Sequence, residues 1–154
     1  MTKVGFISLG CSKNLVDSEV MERERAYRDV MAEYGMPLRI VNEVIQHGEE
    51  TVVVADFMER YPEVDGVFVS GYTLSQVFYD AAIQLGRKIP DDLQIVSYDG
   101  MFSLWGNTNM TSVEQPVEEM ARQVVRLLIK KIHNEETCTR TVLKTKFVLG
   151  TTTK

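Results

Sequence analysis

Residues 64–70 read Val-Asp-Gly-Val-Phe-Val-Ser, a short apolar run that is rich in β-branched side chains and is followed by Gly71. Such a run is typical of a strand that helices cover on both faces of a parallel sheet. Comparable runs predict four further strands, at residues 4–9, 38–44, 93–97 and 142–149.

Segments with helical periodicity separate these strands. Apolar residues recur every three or four positions from Val16 to Tyr34, Asp17 is the predicted cap of that helix, and Gly35 its predicted end. Further helices are predicted over residues 49–60 and 74–85, the latter closed by Gly86. The alternation predicts an α/β fold: a doubly wound, mostly parallel five-stranded sheet with helices on both faces. If the last helix packs back onto this sheet, the strand order is the flavodoxin-like 2-1-3-4-5.

The last predicted helix carries the clearest amphipathic pattern. Pro116 suits its first turn, acidic residues follow at its start, and Lys130 and Lys131 lie near its end, as the helix dipole favours. Eight positions form one apolar stripe: Val117, Met120, Ala121, Val124, Val125, Leu128, Ile129 and Ile132. This stripe has to be covered by another surface.

Composition, charge and residue spacing disfavour several classes of function for this chain. The chain has 154 residues and a net charge of −5, which disfavours binding to nucleic acid. Cys11 and Cys138 are too far apart for a metal motif, and His47 and His133 have no catalytic partner at motif spacing. No apolar run reaches the roughly 18 residues of a membrane span. These features predict one cytoplasmic domain that is not an enzyme and has no metal or cofactor.

The predicted sheet places several polar residues at one edge. Ligands of doubly wound sheets bind beyond the carboxyl ends of the strands, where this sequence has Gly10-Cys11-Ser12, Ser70-Gly71-Tyr72 and Ser97-Tyr98-Asp99-Gly100. Cys11 would also precede a helix N-terminus, which lowers a thiol pKa, so a reactive thiol is one alternative there.

Motifs over most of the chain resemble one family. The Arg-Glu-Arg-Ala-Tyr-Arg-Asp-Val-Met stretch at residues 23–31 is similar to a helix of the lactose-repressor (LacI/GalR) family. Further matching motifs follow in the same order at residues 65–70, 85–93, 95–100, 111–116 and 150–154. The resemblance implies a single lobe of a periplasmic-binding-protein-like type I domain that binds a sugar.

The resemblance also implies three ligand residues. Arg23 and Asp99 match positions that contact sugar hydroxyls, and Gln115 lies where the chain crosses between lobes. A guanidinium fork and a carboxylate suit vicinal hydroxyls because each forms two hydrogen bonds at once. The pattern is broken at Gly71, and His47-Gly48 replaces the usual stacking aromatic; Trp105 is an alternative platform or a packing residue. We therefore expect weak sugar binding or none.

Residues 3–19 resemble a different family, the radical-SAM methylthiotransferases, whose first cluster ligand would correspond to Cys11. The other cluster cysteines of that family are missing, so its chemistry is excluded. We therefore predict a chimera, engineered or recombined, that joins residues 1–21 to a regulator lobe at residues 22–154. The predicted function is a scaffold with no enzymatic or DNA-binding activity; the alternative is a residual effector-binding module of a transcriptional regulator.

The family resemblance also raises the question of which surface covers the apolar stripe of the last helix. In two-lobed members the matching segment packs on the other lobe. In this chain it would fold back onto its own sheet and give a monomer, which we favour, or pack on a second copy in a swapped dimer. The helix at residues 74–85 offers a further dimer surface, since the family uses it for dimerisation.

Overall fold

The computed structural model describes residues 3–10, 18–44, 49–99, 108–138 and 140–154. Strands and helices alternate along most of the chain, as predicted. The elements are β1 (Val4–Gly10), α1 (Ser18–Glu33), β2 (Ile40–Val44), α2 (Glu50–Arg60), β3 (Gly66–Val69), α3 (Tyr72–Gln84), β4 (Gln94–Tyr98), β5 (Thr111–Glu114), α4 (Val117–Ile132) and β6 (Lys146–Val148). Cys11, Asp17, His47 and Trp105 lie outside the described residues.

One mixed sheet organises the domain, in the order β2-β1-β3-β4-β5-β6. The first five strands of this order are parallel, and β6 pairs antiparallel with β5. Because parallel strands end at the same edge, the carboxyl ends of β1, β3, β4 and β5 lie side by side. The predicted fold class, a doubly wound and mostly parallel α/β sheet, is confirmed.

Helices cover both faces of the sheet. Along β3, Val67 and Val69 are buried with α2 and α3, while Phe68 packs on the opposite face with α1. This alternation follows from the two-residue period of a strand. The larger core is centred on Phe57, Phe78 and Ile95, all fully buried.

Three helices end in the same motif, with a residue in the left-handed region. Gly35, Gly86 and Asn134 have φ values of 62°, 80° and 55°. After α1, the amide of Gly35 donates to the carbonyl of Ala32 and that of Met36 to the carbonyl of Met31. This pair of hydrogen bonds is the Schellman arrangement, and it explains why glycine signals predicted two of these ends correctly.

The prediction of five strands is wrong by one. The polar Thr-Ser-Val-Glu segment forms β5, which sequence periodicity did not indicate because it has no apolar run. It is nevertheless in the sheet, with Thr111 and Ser112 fully buried. The last strand is also shorter than predicted, at Lys146–Val148.

The C-terminal segment closes the gap between β4 and β5 through Thr152, which is fully buried. The Thr152 hydroxyl donates to the Ile95 carbonyl at 2.7 Å and accepts from the Thr111 amide at 2.9 Å. The Ile95 amide in turn donates to the Thr152 carbonyl at 2.9 Å. Thr152 therefore satisfies backbone groups of both strands where they separate.

Helix α4 does not fold back onto the sheet, so that prediction is wrong. None of its residues is buried, and seven large apolar side chains, including Val124 (64% exposed) and Ile132 (68% exposed), remain accessible. The helix leaves the domain after Pro116, and the large apolar side chains of its stripe are 39% to 68% exposed. Among the described residues, no helix is long and apolar enough to span a membrane.

Candidate functional site

Three strand ends meet at the carboxyl edge of the sheet. Ser70 follows β3, Tyr98 ends β4, and Gln115 follows β5. The parallel registers pair Val69 with Ser97 and Tyr98 with Val113, so these ends are neighbours in space. The polar residues that follow β3, β4 and β5 therefore lie next to one another along this edge.

Arg23 reaches this edge from α1. Its Nη1 donates to the Ser70 carbonyl at 3.1 Å, and its Cζ lies 3.6 Å from the centroid of the Tyr98 ring. A guanidinium above an aromatic face is stabilised by the ring quadrupole, by about 0.5 to 2 kcal/mol depending on solvent access. The two contacts hold the Arg23 fork between the ends of β3 and β4.

Tyr27 anchors the helix that carries Arg23. Residues 23 and 27 are four positions apart and share one face of α1. The Tyr27 hydroxyl donates to the Val4 carbonyl at 2.9 Å and accepts from the Arg39 amide at 3.3 Å, and its ring stacks on Phe6. Burial raises the pKa of Tyr27 above its usual value of 10.0.

Asp99 and Gln115 contact each other directly. Gln115 Nε2 donates to Asp99 Oδ2 at 2.8 Å. Asp99 has a φ of 63°, and its amide donates to the Val113 carbonyl at 2.9 Å. The left-handed backbone turns the chain sharply after β4, a conformation that aspartate tolerates better than most residues.

A buried hydroxyl pair supports the end of β4. Ser75 Oγ donates to the Gly71 carbonyl at 2.7 Å and lies 2.5 Å from Ser97 Oγ. Ser97 Oγ donates to the Tyr98 carbonyl at 3.1 Å. This chain ties the first turn of α3 to β4 beside Tyr98.

An open groove of about 640 Å³ adjoins these residues. Its lining combines the end of β5, the start of α4 and one residue of β6: Glu114, Gln115, Pro116, Val117, Glu118, Glu119, Ala121 and Lys146. Gln115 therefore belongs both to the polar edge and to the groove. A smaller cavity of about 290 Å³ lies elsewhere, between α2, α3 and Arg87, and it contains none of the predicted ligand residues.

The three predicted ligand residues thus lie together. Asp99 and Gln115 are hydrogen-bonded, and Arg23 stacks on the residue that precedes Asp99. Their role in binding a sugar stays a prediction. Sequence reasoning included Tyr98 in the predicted edge but gave it no role, although an aromatic residue next to a predicted ligand aspartate was a visible signal. Among the described residues, no group of three or more potential metal ligands is found.

Comparisons with known proteins identify relatives of this chain. Residues 1–153 match the sequence model of the family described as "periplasmic binding protein-like domain". The "Ribose operon repressor" of Halalkalibacterium halodurans is 34% identical over 137 residues, which are 86% of this chain and 41% of the repressor. The chain therefore spans less than half the length of this relative.

Solved structures agree with the fold. The transcription regulator CcpA of Lactococcus lactis superposes with a TM-score of 0.83 at 23% identity, over 99% of this chain and 56% of that chain. The "transcriptional regulator CelR-cellobiose complex" superposes with a TM-score of 0.81 at 26% identity, over 97% of this chain and 46% of that chain. All three of these proteins are named as repressors or regulators.

The family match also bears on the predicted chimera. It begins at residue 1 and therefore includes residues 1–21, for which a methylthiotransferase origin was predicted. The comparisons give no support to that origin or to engineering. The sequence match and the superpositions over nearly the whole chain lead to one conclusion. The chain belongs to the periplasmic binding protein-like domain family, and its relatives are transcriptional regulators of the LacI type.

Proposed function

We propose that this chain is the effector-binding lobe of a sugar-responsive transcriptional regulator. Arg23, Asp99 and Gln115 are its ligand residues. The observation that carries the proposal is the contact of Asp99 with Gln115 at 2.8 Å beside the stacked Arg23, at the carboxyl edge of a parallel sheet.

The chemistry of these groups suits a polyhydroxylated ligand. The Asp99 carboxylate accepts hydrogen bonds only, the guanidinium of Arg23 donates only, and the Gln115 amide does both. Hydroxyl groups also donate and accept, so adjacent sugar hydroxyls complement such a set. Gln115 already holds one carboxylate oxygen of Asp99, which fixes the orientation of that acceptor before a ligand arrives.

The site is half of a cleft, and this determines the expected affinity. Arg23, Asp99 and Gln115 are all only partly buried. Sugar pockets normally bury most of the ligand surface. The lobe by itself should therefore bind sugars in the millimolar range, and the experiment must use high sugar concentrations.

Ligand-observed NMR tests the proposal. The sugars are those in the names of similar proteins: D-ribose from the ribose operon repressor, cellobiose from the CelR complex, and lactose from a LacI family regulator of Arthrobacter sp. FB24. Each is added to about 50 mM, well above a millimolar dissociation constant. We expect saturation transfer from the protein to at least one sugar, and its loss in Arg23→Ala and Asp99→Asn. Arg25→Ala is the matched control, because Arg25 lies on the same helix with a side chain that is 83% exposed. If no sugar receives saturation, the inert scaffold becomes the better description.

The exposed face of α4 is the second part of the proposal. In two-lobed regulators that the chain resembles, the matching segment packs on the other lobe. We propose that a second lobe of the same architecture covers the α4 stripe here and closes the cleft over Arg23 and Asp99. In the isolated lobe, which has no such partner, a second copy of this chain would cover the stripe in a swapped dimer, or pair through α3. As part of such a regulator, the lobe would act in the cytoplasm.

A further inference from the structure

We infer that Tyr98 is a positioning residue for sugar binding, because its ring sets the plane of the Arg23 guanidinium. The inference rests on the proposed function. It gives a role to a residue for which the family resemblance implied none and which does not line the groove at α4. The observation that carries it is the 3.6 Å separation between Arg23 Cζ and the Tyr98 ring centroid.

The Tyr98 platform is held firmly in the sheet. Tyr98 is the last residue of β4 and pairs with Val113 of β5. The preceding Ser97 is fully buried and hydrogen-bonded to Ser75 on α3. Its other neighbour, Asp99, is fixed through its amide by the Val113 carbonyl. Both sides of Tyr98 are therefore constrained, so its ring presents a defined surface to Arg23.

The stack controls the direction of the guanidinium donors. All five N–H groups of arginine lie in the guanidinium plane, and the face of that plane has no donor. The ring of Tyr98 contacts this face, while the Ser70 carbonyl accepts from Nη1 at the edge. The ring contact at Cζ and the hydrogen bond at Nη1 act on different parts of the guanidinium, so together they restrict the orientation of the fork. Bidentate recognition of adjacent hydroxyls requires this restriction, because both hydrogen bonds have to form at once.

The phenol hydroxyl is not needed for this role. A cation above an aromatic face interacts with the ring quadrupole, which phenylalanine also provides. Leucine has a similar volume and no ring. Tyr98→Phe should therefore preserve the position of Arg23, and Tyr98→Leu should release it.

The first measurement needs no sugar. Protons above an aromatic ring are shifted upfield by the ring current, so the Arg23 side-chain signals report the stack directly by NMR. We expect upfield-shifted Arg23 signals in the wild type and in Tyr98→Phe, and ordinary arginine shifts in Tyr98→Leu. Tyr34→Leu is the matched control, because Tyr34 is 66% exposed on the same domain. Ordinary Arg23 shifts in the wild type would overturn the inference.

The second measurement is the dissociation constant of D-ribose, cellobiose and lactose, obtained by NMR titration of the same variants. Tyr98→Leu should bind about tenfold more weakly, and Tyr98→Phe within about twofold of the wild type. In the Arg23→Ala background, Tyr98→Leu should have no additional effect, since Tyr98 acts through Arg23. An additive loss in the double variant, or unchanged affinity in Tyr98→Leu, would contradict the role.

The two readouts separate the inference from the proposed function. If the wild type binds none of the three sugars but shows the upfield Arg23 signals, the proposed function is wrong and Tyr98 has no ligand to serve. If it binds a sugar and Tyr98→Leu binds equally well, the proposed function stands and the inference alone fails.

Discussion

Gln115 Nε2 donates to Asp99 Oδ2 at 2.8 Å, and this contact joins the ends of β4 and β5 at the carboxyl edge of the sheet. Sixteen residues separate the two positions in sequence. The contact also involves a residue in an unusual conformation, since Asp99 has a φ of 63°. Asp99 therefore has two separate roles: its side chain accepts the hydrogen bond, and its backbone forms the left-handed turn. Different substitutions can test each role.

Asp99→Val should destabilise the domain, and Asp99→Asn should not. A β-branched residue at positive φ costs about 1 to 2 kcal/mol, whereas asparagine tolerates this region. The free energy of unfolding from urea titration measures the difference. Asp99→Asn should still lose sugar binding, because the carboxylate acceptor is gone. Equal stability of the two variants would show that the left-handed turn is not required.

Thr152→Val should lower the free energy of unfolding by about 1 to 3 kcal/mol. The substitution keeps the shape of the side chain but removes the hydroxyl that serves the Ile95 carbonyl and the Thr111 amide. Thr152→Ser keeps the hydroxyl and is the control. If Thr152→Val loses no more stability than Thr152→Ser, the two hydrogen bonds of the hydroxyl would not be the main contribution of Thr152.

Gly5→Ala should be destabilising because β1 passes close to α2. A Cβ at residue 5 would lie 2.5 Å from Phe57 Cζ, and Phe57 is fully buried. Overpacking of this kind costs about 1 to 3 kcal/mol. Gly66→Ala is the matched control, since its Cβ would meet nothing closer than Val4 Cγ2 at 3.7 Å.

A double variant distinguishes the clash from a general effect on β1. Phe57→Leu removes the ring that the new Cβ would meet. The combination Gly5→Ala with Phe57→Leu should therefore be more stable than the sum of the single losses in thermal unfolding. Strict additivity would contradict the close contact.

The domain should lose stability at alkaline pH through Tyr27. Burial raises its pKa in the folded state above the usual 10.0. Folding therefore favours the protonated phenol, and this preference adds to the free energy of unfolding. The added stability is fully present below pH 10.0 and is lost as the pH rises through the pKa of the folded state. Tyr27→Phe should remove this part of the pH dependence, at a cost of about 1 kcal/mol at neutral pH from the lost hydrogen bond. Tyr34→Phe is the exposed control, and an identical alkaline profile for the wild type and Tyr27→Phe would count against the assignment.

The apolar stripe of α4 should make the isolated chain self-associate. Val124→Glu and Leu128→Glu introduce charges at positions that are 64% and 57% exposed. We expect light scattering after size-exclusion chromatography to show a shift towards monomer, without a fall in melting temperature, because neither side chain is buried. A fall of several degrees would instead indicate that α4 packs on its own domain after all.

Much of the fold followed from local signals. The period of the apolar residues located α1, α2, α3 and α4, and glycines marked the ends of two of them. Such signals are readable because burial of one helix face, or of both strand faces, imposes a short repeat on the chain. Strand β5 was not predicted because it is four residues long and mostly polar, and its position in the sheet depends on pairing with β4.

The pattern of apolar and polar residues along the chain therefore predicted an α/β sheet, the order of its strands from β1 to β4, and which polar residues follow the strands. The arrangement of those residues depended on the tertiary structure. Arg23 meets Tyr98 and Ser70 only because α1, β3 and β4 converge, and no local repeat encodes contacts between positions 47 or more residues apart. The course of α4 was likewise undecided in the sequence, since an amphipathic stripe requires a covering surface but does not specify which one.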